Sequence, residues 1–437
     1  LVASPQHGRH EPDTTARSTD PMMPWPHAHA LAREIARPLP GRKTPVVQAG
    51  GQVLASPIAC VRPVPAFDNA AMDGFAVSGE PPWSITGLLL AGGFDTLPSL
   101  SPGEAMEIAT GAPVPPGTTA VLPYEESAVE GRPISRSDSS QVDGPLSRSD
   151  SSQLGRPLSR SDRFQPGRTV SGVVRGRTHI RRTGETLAVG ALVSPPGRIV
   201  TATLAAAAVQ AGVDDVITHR PPTVTLLVTG DEVISEGTPG PGQVRDSFTG
   251  LVTAITTRAG GVLTASHHQP DDPSTLAAAL DRTATDVIVV SGSSSAGAAD
   301  HLHTLLTERS ATWHVRGVAC RPGHPQALAE LPDGRWVVSL PGNPFAGLVA
   351  ALTLLEPLLE TLAGRPTKPS LTAPVTGTAK LTPETARIVP VTWAGVSAHI
   401  IQGSTPAGLH AAATADALAV LPATWTPNTP AHLLPLP

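Results

Sequence analysis

The sequence predicts a multi-domain protein of α/β and β class. A central doubly wound α/β domain with a mainly parallel sheet is joined by an inserted β-rich domain and a small C-terminal β domain. Three observations carry that reading. The chain has 437 residues, too many for one ordinary core and enough for about three domains. From Pro222 onward, short runs of Val, Ile and Leu alternate with segments of helical spacing, as in a parallel sheet covered on both faces. From about Phe67 to Glu126, aromatic and β-branched residues are punctuated by Gly and Pro, which reads as strands and turns.

Trp25 to Ala36 carries Ala, Leu and Ile at helical spacing and reads as an amphipathic helix. Val46 to Val61 reads as short strands around Gly50-Gly51. The stretch Pro65-Ala66-Phe67-Asp68-Asn69-Ala70-Ala71-Met72-Asp73-Gly74-Phe75 sets two acids in an apolar frame. Carboxylates placed there are costly unless they are paired or bind something. The plainer reading is an Asp/Asn turn between two strands. Order resumes at Val170 to Ile180, and Leu204 to Gly212 is a helix stopped by glycine. Val224–Val228, Asp286–Val290 and Trp336–Leu340 read as buried strands, with helices at Thr249–Ala259, at Thr275–Arg282 and from about Pro344 to Leu362. The last seventy residues or so read as short strands.

The expected organisation is a disordered tail over 1–21, a discontinuous N-terminal linking domain over 22–66 and 170–220, and an inserted β-rich domain over 67–169. An α/β domain over 221–366 and a C-terminal β domain over 367–437 complete it. The inserted domain contains a tandem repeat at about 131–168, in which Pro133-Ile134-Ser135-Arg136-Ser137-Asp138 recurs from Pro145 and again from Pro157. Each copy has one large apolar residue, too little to offset ordering its backbone, so the repeat is expected to be a disordered surface expansion.

Composition narrows the function. The net charge is -5 and no basic block occurs, which argues against nucleic acid as a partner. No run is expected to span a membrane and no signal-peptide pattern stands near Leu1, so a cytoplasmic protein is expected. Cys60 and Cys320 are the only cysteines, which argues against a disulfide framework and a cysteine-based zinc site. Lys43, Lys368 and Lys380 are the only lysines. An anion site here must therefore use arginine, histidine, backbone N–H groups or a metal.

Four loops succeed strands of the α/β part, where open sheets bind ligands. Thr229-Gly230-Asp231-Glu232 carries adjacent acids. Asp246-Ser247 precedes a helix and reads either as a cap or as a site acid. Ser291-Gly292-Ser293-Ser294-Ser295-Ala296-Gly297 runs from a strand into a helix that includes Asp300, a composition suited to an anion cradle. Leu340-Pro341-Gly342-Asn343-Pro344 puts Asn at a helix N-cap and Pro at the first helical position; capping explains the last two residues but not Pro341-Gly342. Asp231, Glu232, Asp246 and Asp300 are expected to converge on one sheet edge. Such hard oxygen ligands suit Mg²⁺ held together with substrate phosphate.

These segments together carry a specific resemblance. Phe67-Asp68-Asn69-Ala70-Ala71-Met72-Asp73-Gly74, Ala109-Thr110-Gly111-Ala112-Pro113-Val114-Pro115 and Ile180-Arg181-Arg182-Thr183-Gly184-Glu185 resemble the FDNSAMDG, TGAPVP and RRxGED motifs of the molybdopterin molybdenumtransferases, the family of MoeA and the gephyrin E-domain. Val121-Leu122-Pro123-Tyr124-Glu125-Glu126 sits where that family has a strand ending in paired acids, and the Thr229 and Leu340 loops match its TGDE and LPGNP. The resemblance runs from about Trp25 to the C-terminus, the repeat excepted.

The resemblance implies molybdenum cofactor biosynthesis: adenylylated molybdopterin and molybdate react with Mg²⁺, molybdenum enters the dithiolene, and AMP leaves. It implies a homodimer with a site shared between subunits, and contacts with molybdopterin adenylyltransferase and molybdoenzymes. Catalytic roles fall to Asp68, Asp73, Thr110, Glu232 and Asp300. Substrate contacts fall to Arg181, Ser291, Gly292, Ser295, Gly297, Arg321, His324, Pro341 and Asn343, and metal ligation to Asp231, Glu232, Asp246 and Asp300. The sequence departs from the family in four places. A loop glycine is Ser293, the KPGKP motif is Arg321-Pro322-Gly323-His324-Pro325, the acid ending RRxGED is Thr186, and an Asn after Asp246-Ser247 is Phe248. The lost lysines and glycine favour an alternative, a non-catalytic paralogue that binds molybdopterin species or scaffolds partners; a nucleotide-binding phosphohydrolase is a third reading.

Overall fold

The computed structural model describes residues 22–92, 96–129, 132–133, 168–292 and 298–437. The expected tail and nearly all of the repeat lie outside these residues. The central sheet has six strands in the order 262–269, 223–229, 287–291, 336–340, 327–330, 312–316. The first four are parallel, and the last two run antiparallel to their neighbours. Both faces are covered, and the burial alternates with the pleat. Val224, Leu226, Val228, Val287, Val289 and Val338 face a core shared with the helices Phe248–Arg258 and Pro344–Ala350. Leu227, Ile288, Val290 and Val337 face the helices Pro273–Arg282 and Ala298–Glu308. Burial on both sides makes these strands nearly continuous apolar runs, which is why the sequence exposes them.

The helix that begins at Pro344 runs to Leu362, with a π turn at Ala351–Leu355. Its 19 residues have the length and apolarity to cross a bilayer, contrary to expectation, but 89% of its most apolar stretch is buried in protein. It is a core helix. The helix Trp25–Glu34 docks on it: the Trp25 indole donates to Thr353 Oγ1 at 3.0 Å, and His29 Nδ1 meets the Thr353 carbonyl at 3.1 Å. The π turn changes the backbone hydrogen-bond spacing where these two side chains enter.

The linking region packs Val46, Leu54, Ile58, Val200, Ala208 and Val216 into a separate core. The inserted region forms a seven-stranded sheet in the order 132–133, 127–129, 169–172, 83–89, 104–108, 74–77, 120–123. In the C-terminal part, strands 386–394, 397–400, 372–376, 430–435 and 417–421 pair in turn, and the last returns to the first, closing a small barrel. The strand Val318–Arg321 of the α/β region joins this barrel, running parallel to Ala386–Ala394. That pairing brings side chains of the two regions together.

Candidate functional site

The chain leaves strand Thr223–Thr229 for the edge strand on one side and later returns on the other side at Val287–Ser291. Ligands of open α/β sheets bind at the carboxyl ends of strands at such a reversal. Three loops meet there through glycine. A Cβ on Gly292 would lie 2.5 Å from the Thr229 carbonyl oxygen, and one on Gly342 would lie 3.2 Å from the Gly292 Cα. This close approach accounts for Pro341-Gly342, which capping left unexplained. Thr229 Oγ1 donates to the Ser291 carbonyl at 2.7 Å. Ser291 Oγ is buried and has no hydrogen-bond partner among the described residues, a cost that a ligand oxygen or a water would relieve. Asn343 occupies the N-cap but its side chain makes no cap bond; the Phe345 and Ala346 N–H groups donate instead to the Pro406 carbonyl at 3.0 and 3.2 Å. The C-terminal barrel thus caps this helix, and the exposed Asn343 amide is left to the crevice.

Of the four acids expected to converge, the side chains of Asp231, Glu232 and Asp246 are described. Asp246 is taken up by the start of its helix: Oδ1 accepts the Phe248 and Thr249 N–H groups at 2.7 and 3.2 Å, and Oδ2 accepts the Thr249 hydroxyl at 2.5 Å. Asp231 Oδ1 accepts the Asp271 N–H at 3.3 Å. The Glu232 carboxylate folds over Gly230, where a Cβ would come within 2.5 Å of it. Among the described residues no group of three His, Cys, Asp or Glu could hold a metal. Asp300 lies on the helix Ala298–Glu308, while Ser295, Gly297 and the Asp300 side chain fall outside the described residues. What fits a divalent cation is the exposed adjacent pair Asp231 and Glu232. Mg²⁺ takes one or two carboxylates when phosphates and water complete its shell. The donor set suits an ion that arrives with substrate.

The β-rich and linking regions together gather a second group. Asp68 accepts from Arg182 Nη1 at 2.6 Å and from the Thr183 N–H and hydroxyl, both at 2.8 Å. The Thr183 backbone bond, then the Arg182 and Thr183 side chains, hold its carboxyl below the usual range. Asp73 Oδ1 accepts the Thr110 N–H at 2.6 Å. Arg181 lies opposite Asn69 in the short antiparallel pair 69–70 with 180–181, and is exposed. Asp68, Asp73 and Thr110 are held by loops of these regions, so both the turn reading and the reading of paired acids apply to them.

The third group joins two domains. Arg321 and Arg387 are direct register partners on parallel strands. Among the described residues neither has an acidic partner, and Arg387 Nε is buried without any hydrogen bond. Burial first, and Arg321 second, disfavour the charge on Arg387. Arginine does not give up its proton, so an anion is what relieves that strain. Arg387 lines a pocket of about 440 Å³ that also includes Lys380, Gln402 and Ser404. His324 lies in the same turn as Arg321. Burial and then Arg321 push its pKa below 6.5, the opposite of the rise that neighbouring carboxylates would cause. It is therefore a neutral N–H donor at neutral pH.

Family matches cover the Asp68, Ser291 and Arg321 loops and stop short of Arg387. Residues 23–212 match the family described as MoeA N-terminal region (domain I and II), and residues 225–361 match the probable molybdopterin binding domain. A molybdopterin molybdenumtransferase 2 of Mycobacterium tuberculosis is 32% identical over 74% of this chain and 75% of that protein. The chain belongs to the MoeA family. A molybdopterin molybdenumtransferase of Synechococcus elongatus is 29% identical over 75% of this chain and 77% of that protein. A molybdopterin biosynthesis MoeA protein of Pyrococcus horikoshii superposes with a TM-score of 0.72 over 95% of this chain and 99% of that one; at 22% identity it supports the fold alone.

This MoeA-family protein is a transferase of molybdenum cofactor biosynthesis, which favours the enzyme over the binding-only alternative. Sequence reasoning missed Arg387, Lys380 and Pro406. The available signal was an arginine opening the apolar strand Arg387-Ile388-Val389. Phe248, the departure from the family's Asn, is buried in the core, where its ring occupies the space a Cβ on Gly347 would need, 2.2 Å away. That substitution packs a helix.

Proposed function

We propose that this chain inserts molybdenum from molybdate into adenylylated molybdopterin, with Mg²⁺-dependent hydrolysis of the adenylyl link and release of AMP. The observation that carries the reading is the Arg321–Arg387 pair, two guanidinium groups without acidic partners among the described residues, beside a polar pocket. A tetrahedral dianion neutralises both, and planar guanidinium forks suit its oxygens. His324 adds a neutral donor. The crevice at Thr229, Ser291 and Gly292 receives a phosphate group, with the Ser291 hydroxyl and the Asn343 amide as donors. Asp231 and Glu232 would hold Mg²⁺ there, and a bound ion would offset phosphate charge as it develops.

Asp68, Asp73, Thr110 and Arg181 belong to other domains. A homodimer in which one subunit's β-rich domain faces the other's α/β domain would complete the site, and this assembly and a cytoplasmic setting form part of the proposal. The test is molybdate-dependent AMP release from adenylylated molybdopterin, with and without a chelator. AMP release independent of molybdate, or none at all from protein that is folded and supplied with Mg²⁺, would overturn the reading.

A further inference from the structure

Beneath the Arg321–His324 turn lies a side chain that no motif includes. Gln326 is fully buried. Its Nε2 donates to the Gly323 carbonyl at 2.9 Å and to Cys320 Sγ at 3.3 Å, and Cys320 Sγ in turn reaches the Pro322 carbonyl at 3.3 Å. These two side chains hold consecutive carbonyls of the turn from inside. The backbone closes the same loop: Val318 N–H donates to the His324 carbonyl at 2.9 Å and Gly317 N–H to the Gln326 carbonyl at 3.0 Å. On its other side the turn rests on the helix Pro344–Ala350. A Cβ on Gly323, whose φ is +101°, would lie 3.2 Å from Val349 Cγ1 and 3.3 Å from the Ala346 carbonyl oxygen.

Gln326 carries a visible cost, since its Oε1 is buried with no partner among the described residues. A methionine of similar length would avoid that cost, because it has no amide oxygen to leave unpaired. What it would lose is the shorter of two bonds to the Gly323 carbonyl, which lies between Arg321 and His324 in sequence and also accepts the Gln326 N–H at 3.3 Å.

We propose that Gln326 is a positioning residue for oxyanion capture: its buried amide fixes the turn that holds Arg321 beside Arg387, and so sets the affinity for molybdate. The proposal rests on the function proposed for this chain. It separates two kinds of group at the site. Arg321 and Arg387 touch the anion, whereas Gln326 acts only through the backbone.

The test compares wild type with Gln326→Met, measuring molybdate binding by calorimetry and steady-state turnover with each substrate varied. Misplacing one of two cations weakens molybdate binding about tenfold in Q326M. The KM for molybdate rises in step, while kcat and the KM for the molybdopterin substrate stay near wild type and the melting temperature does not fall. Equal molybdate affinity in the two proteins overturns the proposal, as does an equal loss in kcat and in both KM values, the mark of general damage. Should Q326M fail to fold, Cys320→Ala loosens the same turn through Pro322, with an expected loss of about threefold. Unchanged binding in C320A then overturns the proposal. Wild-type protein that binds no molybdate refutes the function itself, a result distinct from any difference between variants.

Discussion

Arg321 and Arg387 sit opposite each other on parallel strands from two domains, and no carboxylate pairs with either among the described residues. Two like charges brought together by backbone pairing repel unless an anion lies between them. The Val318–Arg321 strand that joins the α/β region to the barrel is therefore also part of the candidate site.

Replacing Arg387 by Met should separate binding from stability. It removes a partly buried cation that has no acidic partner among the described residues, so the melting temperature should hold or rise. Molybdate affinity should fall at least about tenfold, the scale of one charge-assisted contact. In wild type, molybdate at a hundred times its Kd should add about 2.7 kcal/mol to stability, an increment that a tenfold weaker R387M cuts to about 1.4 kcal/mol at the same concentration. Thermal melts with and without molybdate measure both effects; an undiminished ligand shift in R387M would count against the pair.

His324 sets a pH expectation of its own. Its folded pKa lies below 6.5 through burial and then Arg321, so the ring is neutral above that value in the free protein. Anion binding favours the protonated ring, so molybdate affinity should be flat from pH 7 to 9 and strengthen as pH falls below 6.5. A loss of affinity between pH 7 and 9 would need a raised pKa. His324→Lys adds a charge at pH 8 and should tighten binding there. Calorimetry from pH 6 to 9 on both forms decides it; a steep wild-type fall between pH 7 and 8, abolished in H324K, would restore the raised value.

Asp246 and the Asp231–Glu232 pair should respond differently to alanine. Asp246→Ala removes the acceptor for two helix N–H groups and should cost about 1 kcal/mol of stability while leaving the Mg²⁺ dependence of turnover unchanged. Asp231→Ala or Glu232→Ala should leave the melting temperature near wild type, since both are exposed, and should raise the Mg²⁺ concentration needed for AMP release. A Mg²⁺ requirement that shifts in D246A and not in the other two would reverse these roles.

The contrast among these residues shows what the sequence made legible. Val224–Val228 and Asp286–Val290 were visible because burial on two faces leaves an uninterrupted apolar run, and the importance of the loops after them comes from strand polarity. Asp246 was ambiguous because a cap and a ligand have the same residue type; the Phe248 and Thr249 N–H groups show that it does cap its helix. Arg387 was not legible, since its meaning lies in a pairing with a strand of another domain. The helix at Trp25 was read correctly as a helix, but its partner is a π turn at Thr353 that no local pattern announces.

The docking of that helix also makes stability depend on pH. His29 stacks on Trp25 with ring centroids 4.9 Å apart, and its pKa is lowered from 6.5 to about 4 by burial first and then by Arg33. His432 faces it from the C-terminal barrel and disfavours its charge, while the Thr353 carbonyl and Glu360 oppose the shift. A folded pKa below the unfolded one means that the unfolded chain binds the extra proton. The contribution is therefore complete above pH 6.5 and is lost as pH falls from 6.5 toward 4. In full it amounts to about 3 kcal/mol, at 1.36 kcal/mol per pKa unit. His29→Gln keeps a polar group near Thr353 but takes up no proton, so its stability should fall less steeply over that range. Chemical denaturation of wild type and H29Q at intervals from pH 7 to 4.5 measures the slopes. Parallel curves would mean that His29 is protonated without loss of docking, and that acid unfolding begins elsewhere.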